Sequence, residues 1–178
     1  MNISDAQRDV RTTFLGGFPG QLVSSAVWFA SAAMATWFST RSAILALVFG
    51  GMFIFPLTQL LLRLMGKPYS LPGHPTNALA MQIAFTVPIS LPLVGAAALY
   101  RLNWFYPATM LVVGGHYLPF MFLYGMWQFG VLAALLIGGG VVIALYLPTT
   151  FALGGWFTAV VLLAFAFMGR SVVQREGN

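Results

Sequence analysis

Residues 127–168 read WQFGVLAALLIGGGVVIALYLPTTFALGGWFTAVVLLAFAFM, a run that holds no Asp, Glu, Lys or Arg. A helix crosses the hydrocarbon core of a bilayer in about 20 residues, so the run is twice too long for one crossing. Leu147, Pro148, Thr149 and Thr150 interrupt it near the middle, and proline cannot continue a helical hydrogen-bond ladder. The stretch therefore reads as two spans, 127–146 and 148–168, joined by a tight turn. Upstream, charged residues and Pro/Gly clusters divide the chain into four more apolar stretches, 18–38, 42–65, 77–99 and 104–124. The predicted fold class is all-α: a polytopic transmembrane helical bundle, one domain over residues 1–178, with six membrane-spanning helices.

Composition points the same way. Of the 178 residues 60% are hydrophobic and 6% charged, and the mean hydropathy is +0.88, so too little charge is present to solvate a water-exposed surface. The pI near 10.1 comes from basic residues scattered singly between apolar runs, a pattern that argues against nucleic acid as a partner and leaves membrane lipids. Cysteine is absent, which removes disulfides and thiolate metal sites. The polar start through Asp5, Arg8, Asp9 and Arg11 lacks the layout of a removable signal peptide, so the first span is expected to direct insertion.

Lys and Arg resist translocation, and their distribution sets the orientation. Arg8, Arg11, Arg63, Lys67, Arg170 and Arg175 fall on one side of the six spans, Arg41 and Arg101 on the other. Both termini are predicted to be cytoplasmic. Trp37, Trp104, Trp127 and Trp156, with Tyr69, Tyr100, Tyr106, Tyr124 and Tyr146, lie near span ends as interfacial belts do; Trp28 is the exception. Ahead of the first span, Ser4 or Asp5 is expected to cap a short helix over 1–17 that ends at Gly16, Gly17 and Pro19. Its Ile3, Ala6, Val10 and Phe14 face would lie along the cytoplasmic membrane surface. The loop between spans two and three, with Gly66, Pro68, Pro72, Gly73 and Pro75, reads as a turn-rich connector or semi-rigid cap.

The sequence offers little for catalysis. The three acidic residues, Asp5, Asp9 and Glu176, lie outside the spans, which disfavours carboxylate-driven proton coupling and paired-carboxylate chemistry. No H-E-x-x-H, P-loop or G-x-S-x-G occurs, and two histidines, His74 and His116, make a poor zinc site; no metal, cofactor or catalytic residue is predicted.

His116 is the one ionisable side chain deep inside a span, about ten residues from either end of the fourth. Burial requires it to be hydrogen-bonded, with Gln59, Gln82 or a tyrosine hydroxyl as the expected partner, whether it acts as packing glue or as a ligand contact. Helical spacing sets His116, Phe120 and Tyr124 on one face beside Tyr117, with Gly114 and Gly115 permitting close approach and Pro119 disturbing the ladder. Span three adds Gln82, Thr86 and Ser90 at intervals of four. Span two adds Thr58 and Gln59, span one Gln21, Ser24, Ser25 and Trp28, and span five Gln128. Amides facing lipid cost several kcal/mol, so these groups are expected to point inward, toward one another or into a vestibule open to the cytoplasm. Gly130, Ala134 and Gly138 carry small-xxx-small spacing, followed by Gly139 and Gly140, for close packing within the chain or in a homodimer. An inverted repeat of spans one to three and four to six is topologically allowed, with only Gly16, Gly17, Pro19 against Gly114, Gly115, Pro119 in its favour.

Phe55 and Pro56 close an apolar run in span two, and Gly114-Gly115-His116-Tyr117-Leu118-Pro119 is followed by Tyr124. In these features, and over most of its length, the chain resembles a family of small six-helix bacterial membrane proteins of unknown function. The resemblance implies a bacterial inner-membrane location and the glycine-histidine-proline segment as signature; it implies no activity, substrate or cofactor.

Three functional classes follow. The first is transport or binding of a small neutral or aromatic molecule in a cytoplasm-facing polar cavity, with His116, Tyr117, Phe120, Tyr124, Gln59, Gln82 and Thr86 as ligand-binding residues. The second is a membrane enzyme acting on a lipid-like substrate with His116 as general base, and the third a structural or assembly subunit.

Overall fold

A computed structural model describes residues 2–147 and 150–176. It consists of seven α-helices: α1 (Ile3–Thr13), α2 (Phe18–Trp37), α3 (Thr40–Leu64), α4 (Asn77–Tyr100), α5 (Phe105–Tyr124), α6 (Gln128–Tyr146) and α7 (Leu153–Glu176). No strand occurs among the described residues. Short 3₁₀ turns at Leu15–Gly17 and Leu102–Trp104 lead into α2 and α5.

The helices form a row. α2 packs along both α3 and α7, α7 along α6, α6 along α5, and α5 along α4, which leaves α3 and α4 as the outermost members. Four helices, α3, α4, α6 and α7, are long and apolar enough to cross a membrane. α2 and α5, at 20 residues each and without a charge, reach sufficient length but are less apolar. Their polar groups are turned into the protein: Gln21, Ser25 and Ser31 of α2 and Thr109 of α5 are buried. A helix enclosed by other helices is under no pressure to be apolar all round.

Helix boundaries fall close to the spans read from the sequence, except in the last. α7 begins at Leu153 and runs on to Glu176, later at both ends than 148–168; Pro148, where that span was expected to start, lies outside the described residues. Pro56, Pro88, Pro92 and Pro119 sit inside continuous helices. Threonine and serine hydroxyls reach back to nearby carbonyls, as Thr58 does to Ile54 at 2.7 Å and Ser90 to Thr86 at 2.7 Å.

α2 is tied to its neighbours by small residues and hydroxyls. The Ser25 hydroxyl donates to the Ala159 carbonyl of α7 at 2.8 Å. Ser31 donates to the Ala43 carbonyl of α3 at 2.8 Å, so its contact with the Tyr106 hydroxyl at 2.6 Å is one in which Tyr106 donates. Tyr106 of α5 is completely buried, its ring 5.8 Å from that of Trp28 and pressed against Gly154 and Gly155 of α7. Tyr106 and Tyr124 are therefore core residues and not belt residues, whereas Tyr69, Tyr100 and Tyr146 are exposed. Tyr106 and Tyr124 lie near span ends, but helical phase turns them inward.

α5 and α6 meet through glycines, at Gly114 and at the glycines that follow the small-xxx-small stripe more than at the stripe itself. Gly114, Gly139 and Gly140 lie in the contact, where a Cβ on Gly114 would stand 3.1 Å from the Ala133 carbonyl oxygen and one on Gly140 3.0 Å from that of Pro107. Ala134 and Gly138 are exposed, with nothing within 4 Å of a Cβ at Gly138; of the expected stripe only Gly130 packs, against Met121. The facing stripe of α6 is Phe129, Leu132, Ala133, Leu136, Gly140 and Ile143, a helical period offset from the small-residue spacing.

α1 does not offer its apolar face to lipid. Ala6 and Val10 are buried, with only Ile3 left exposed, and the N-cap is Asn2, whose side chain accepts from the Asp5 N–H at 2.8 Å, in place of Ser4 or Asp5. The helix clasps the ends of α5 and α7. Gln7 donates to the Phe122 carbonyl at 2.6 Å, and Arg11 donates to the Tyr124 carbonyl at 2.8 Å and to Glu176 at 2.8 Å. A cation over the last carbonyls of α5 complements its dipole. Gly125, at φ +63°, ends α5 and leaves the room that Gln7 and Arg11 fill. Arg11→Gln is expected to lower stability by about 2 kcal/mol, since charge-assisted hydrogen bonds are lost from a largely enclosed site. Thermal unfolding in detergent micelles measures this, and 1 M salt should recover less than half of the difference if the carbonyl bond dominates.

Candidate functional site

His116 lies midway along α5, half-buried at its contact with α4. Its Nδ1 is 2.9 Å from the Ile83 carbonyl oxygen and 2.9 Å from the Thr86 hydroxyl, which itself donates to Ile83 at 2.7 Å. A carbonyl can only accept, so Nδ1 carries the proton and shares it between both oxygens. In the neutral ring this leaves Nε2 as an acceptor, and this nitrogen makes no hydrogen bond among the described residues. The partner expected from the sequence was a glutamine or a tyrosine; the actual partners are threonine and a backbone carbonyl. Ile83 lies five residues before Pro88, whose ring disturbs the α4 ladder nearby.

Aromatic rings continue the site toward the end of α5. The His116 ring centroid is 5.0 Å from Phe120 and 5.6 Å from Tyr117, both edge-on. Phe120 contacts Tyr124 at 5.6 Å, and Phe129 of α6 closes the cluster at 5.5 Å from Phe120, 6.0 Å from Tyr117 and 5.0 Å from Tyr124. The Tyr117 hydroxyl bonds to Ser24 of α2. Gly17 sits beneath the group, where a Cβ would lie 3.0 Å from the Phe129 ring. Edge-to-face contacts of this kind favour a well-packed aromatic wall.

Five of the seven candidate residues, His116, Tyr117, Phe120, Tyr124 and Thr86, thus come together. Gln82 lies one turn from Thr86 on α4, and both are exposed rather than turned inward as expected. Gln59 stays apart on α3, half-buried, with its Oε1 enclosed and without a hydrogen-bond partner among the described residues. Gln21 and Gln128 meet elsewhere, lining a narrow gap with Gly16, Met126, Phe129, Phe165 and Gly169, each with an unpartnered Oε1. The four glutamines do not share one vestibule wall. Phe129 and the Ile83 carbonyl were not anticipated; an aromatic two residues into span five was a visible signal for the first, and a main-chain acceptor has none.

The second histidine is remote. His74 Nδ1 is 2.8 Å from the Thr76 hydroxyl, and Nε2 is 3.9 Å from Asp9, holding the loop between α3 and α4 near α1.

These features define an all-α membrane protein in which a histidine ties two helices while offering its second nitrogen beside an aromatic wall. The chain belongs to a family of unknown function, DUF7010, whose family model matches residues 3–170. No curated protein and no solved structure matches it.

Proposed function

We propose that the chain is a six-span protein of the bacterial inner membrane, both termini cytoplasmic, that binds or passes a small neutral or aromatic molecule beside His116. The observation that carries the reading is polar exposure at depth. Gln82 is exposed on α4 one turn from Thr86, the residue bonded to His116, and neither its amide nor the free Nε2 of His116 could be satisfied by lipid. A ligand donating one hydrogen bond to Nε2, with an apolar or aromatic body against Phe120, suits this chemistry. Six crossings are supported by the length of α2 and α5, about 30 Å each at 1.5 Å per residue, and by the six-to-two division of basic residues.

The chain contains no cysteine, so single introduced cysteines can be read without background. In inside-out vesicles Gln82→Cys is expected to react with a membrane-impermeant maleimide, and Ser4→Cys to react fully. Ile89→Cys, on an exposed apolar stretch of the same helix, should stay unlabelled. Equal labelling of positions 82 and 89 would remove the cytoplasm-facing polar cavity from the reading.

The assembly-subunit reading draws on the same histidine, because Nδ1 ties α4 to α5. Asparagine can replace the Nδ1–H donor with its Nδ2–H but has nothing in place of Nε2. His116→Asn is expected to unfold at the wild-type temperature, and His116→Ala to lose about 1 kcal/mol. If both variants lose equal stability, the tie is not what Nδ1 provides.

A further inference from the structure

A groove of about 410 Å³ runs along the exposed seam between α2 and α3. Its walls are Val23, Ala26, Val27 and Ala30 on α2 and Leu57, Leu60, Leu61 and Leu64 on α3. No polar side chain contributes. Thr58 stands opposite Gly20 and Val27 opposite Gly50, so the α3 leucines continue the groove past Val23 toward the end of α3. That end is basic. Arg63 occupies the last turn of α3 and Lys67 follows three residues after Leu64, both exposed. The Arg63 guanidinium is steadied 4.3 Å above the Tyr69 ring. Neither cation has an acidic partner among the described residues, where Glu176 is taken by Arg11 and Asp9 faces His74.

An apolar trough open to the membrane, ending at two unneutralised cations where the helix leaves it, matches a lipid in both halves. We propose that this groove holds an acyl chain of one anionic phospholipid whose phosphate is bound by Arg63 and Lys67. Charge complementarity selects the headgroup, and the alanines at 26 and 30 provide the space for the chain. The site lies on the α2–α3 seam, away from the α4–α5 contact that holds His116. It rests on the membrane location and not on the ligand reading.

The test uses the purified full chain, native mass spectrometry and two probes, phosphatidylglycerol and phosphatidylcholine. Wild type is expected to retain one phosphatidylglycerol in preference to phosphatidylcholine. R63Q/K67Q should weaken phosphatidylglycerol retention roughly 30-fold, from two interfacial charges. A26L/A30L, which fills the groove, should shed both lipids. Circular dichroism of both variants without lipid checks that the helices are intact, and the charge variant alters only exposed side chains.

Equal retention of the two lipids by wild type would overturn the proposal. So would phosphatidylglycerol binding by R63Q/K67Q at the wild-type level. A lipid-free wild-type dimer that A26L/A30L converts to monomer would overturn it too, assigning the groove to a second copy. The maleimide result at Gln82 is independent, so either reading can fail alone.

Discussion

Gly169→Ala is expected to destabilise the protein by about 3 kcal/mol, at the upper end for overpacking, although it adds one methyl group to a helix. A Cβ at Gly169 would lie 2.5 Å from the Gly16 carbonyl oxygen, and one at Gly16 equally 2.5 Å from the Gly169 carbonyl oxygen. Each glycine thus meets backbone, and backbone cannot swing aside as a long side chain does. Gly16 should be the less tolerant of the two, because its φ of +63° adds a penalty of about 1 kcal/mol for any L side chain. Gly51→Ala provides the control. Nothing lies within 4 Å of its added Cβ, so the change should be neutral or gain up to about 1 kcal/mol from helix propensity. Unfolding in mixed micelles by increasing SDS ranks the three, and a Gly169→Ala loss no larger than that of Gly51→Ala would remove the close contact.

Tyr106→Ala should be the costliest single truncation in the membrane region, about 4 kcal/mol. The side chain is fully buried between α2 and α7, with Phe105 and Phe151 rings at 5.3 Å and 5.0 Å adding to the Trp28 contact. Tyr106→Phe keeps the ring and loses only the bond to Ser31, worth about 1 kcal/mol between membrane helices. Ser31→Ala should cost more than Tyr106→Phe, because it also releases the Ala43 carbonyl. A double-mutant cycle on the two residues should give a coupling near the value of one hydrogen bond, and a coupling of zero would contradict the geometry.

Helix existence was legible because each depends on a long local property. The 127–168 run needed only its length and Pro148 to be divided, and α3, α4 and α6 follow their apolar stretches closely. Which face of a helix turns inward was less legible. The signal that separates faces in a water-soluble helix, apolar against polar, fades when the surroundings are themselves apolar. The stripe Gly130, Ala134, Gly138 looked like an interface by residue size, yet only phase relative to α5 decides it, and that is a tertiary quantity.

The site was half readable for the same reason. Tyr117, Phe120 and Tyr124 follow His116 on one helix, so their grouping is local. Thr86 was identified by its place in a polar stripe, but its pairing with His116 depends on the α4–α5 register. Gln59 could not be excluded from the group by any property of its own; α3 carries it to the α2 side of the row. Burial of Ala6 and Val10 was likewise invisible, since an amphipathic helix has the same pattern whether its partner is lipid or protein.

The Arg11 clasp also sets an order of events during synthesis. Arg11 and Glu176 are separated by 165 positions, and α2, the first long helix, makes one of its main contacts with α7, the last. A ribosome delivers these partners far apart in time, 165 positions from one to the other. Until α7 emerges, Ser25 lacks the Ala159 carbonyl and Gly16 has no glycine to rest on, so the early helices wait in the bilayer incompletely packed. Closure of the clasp is then a late, non-local step.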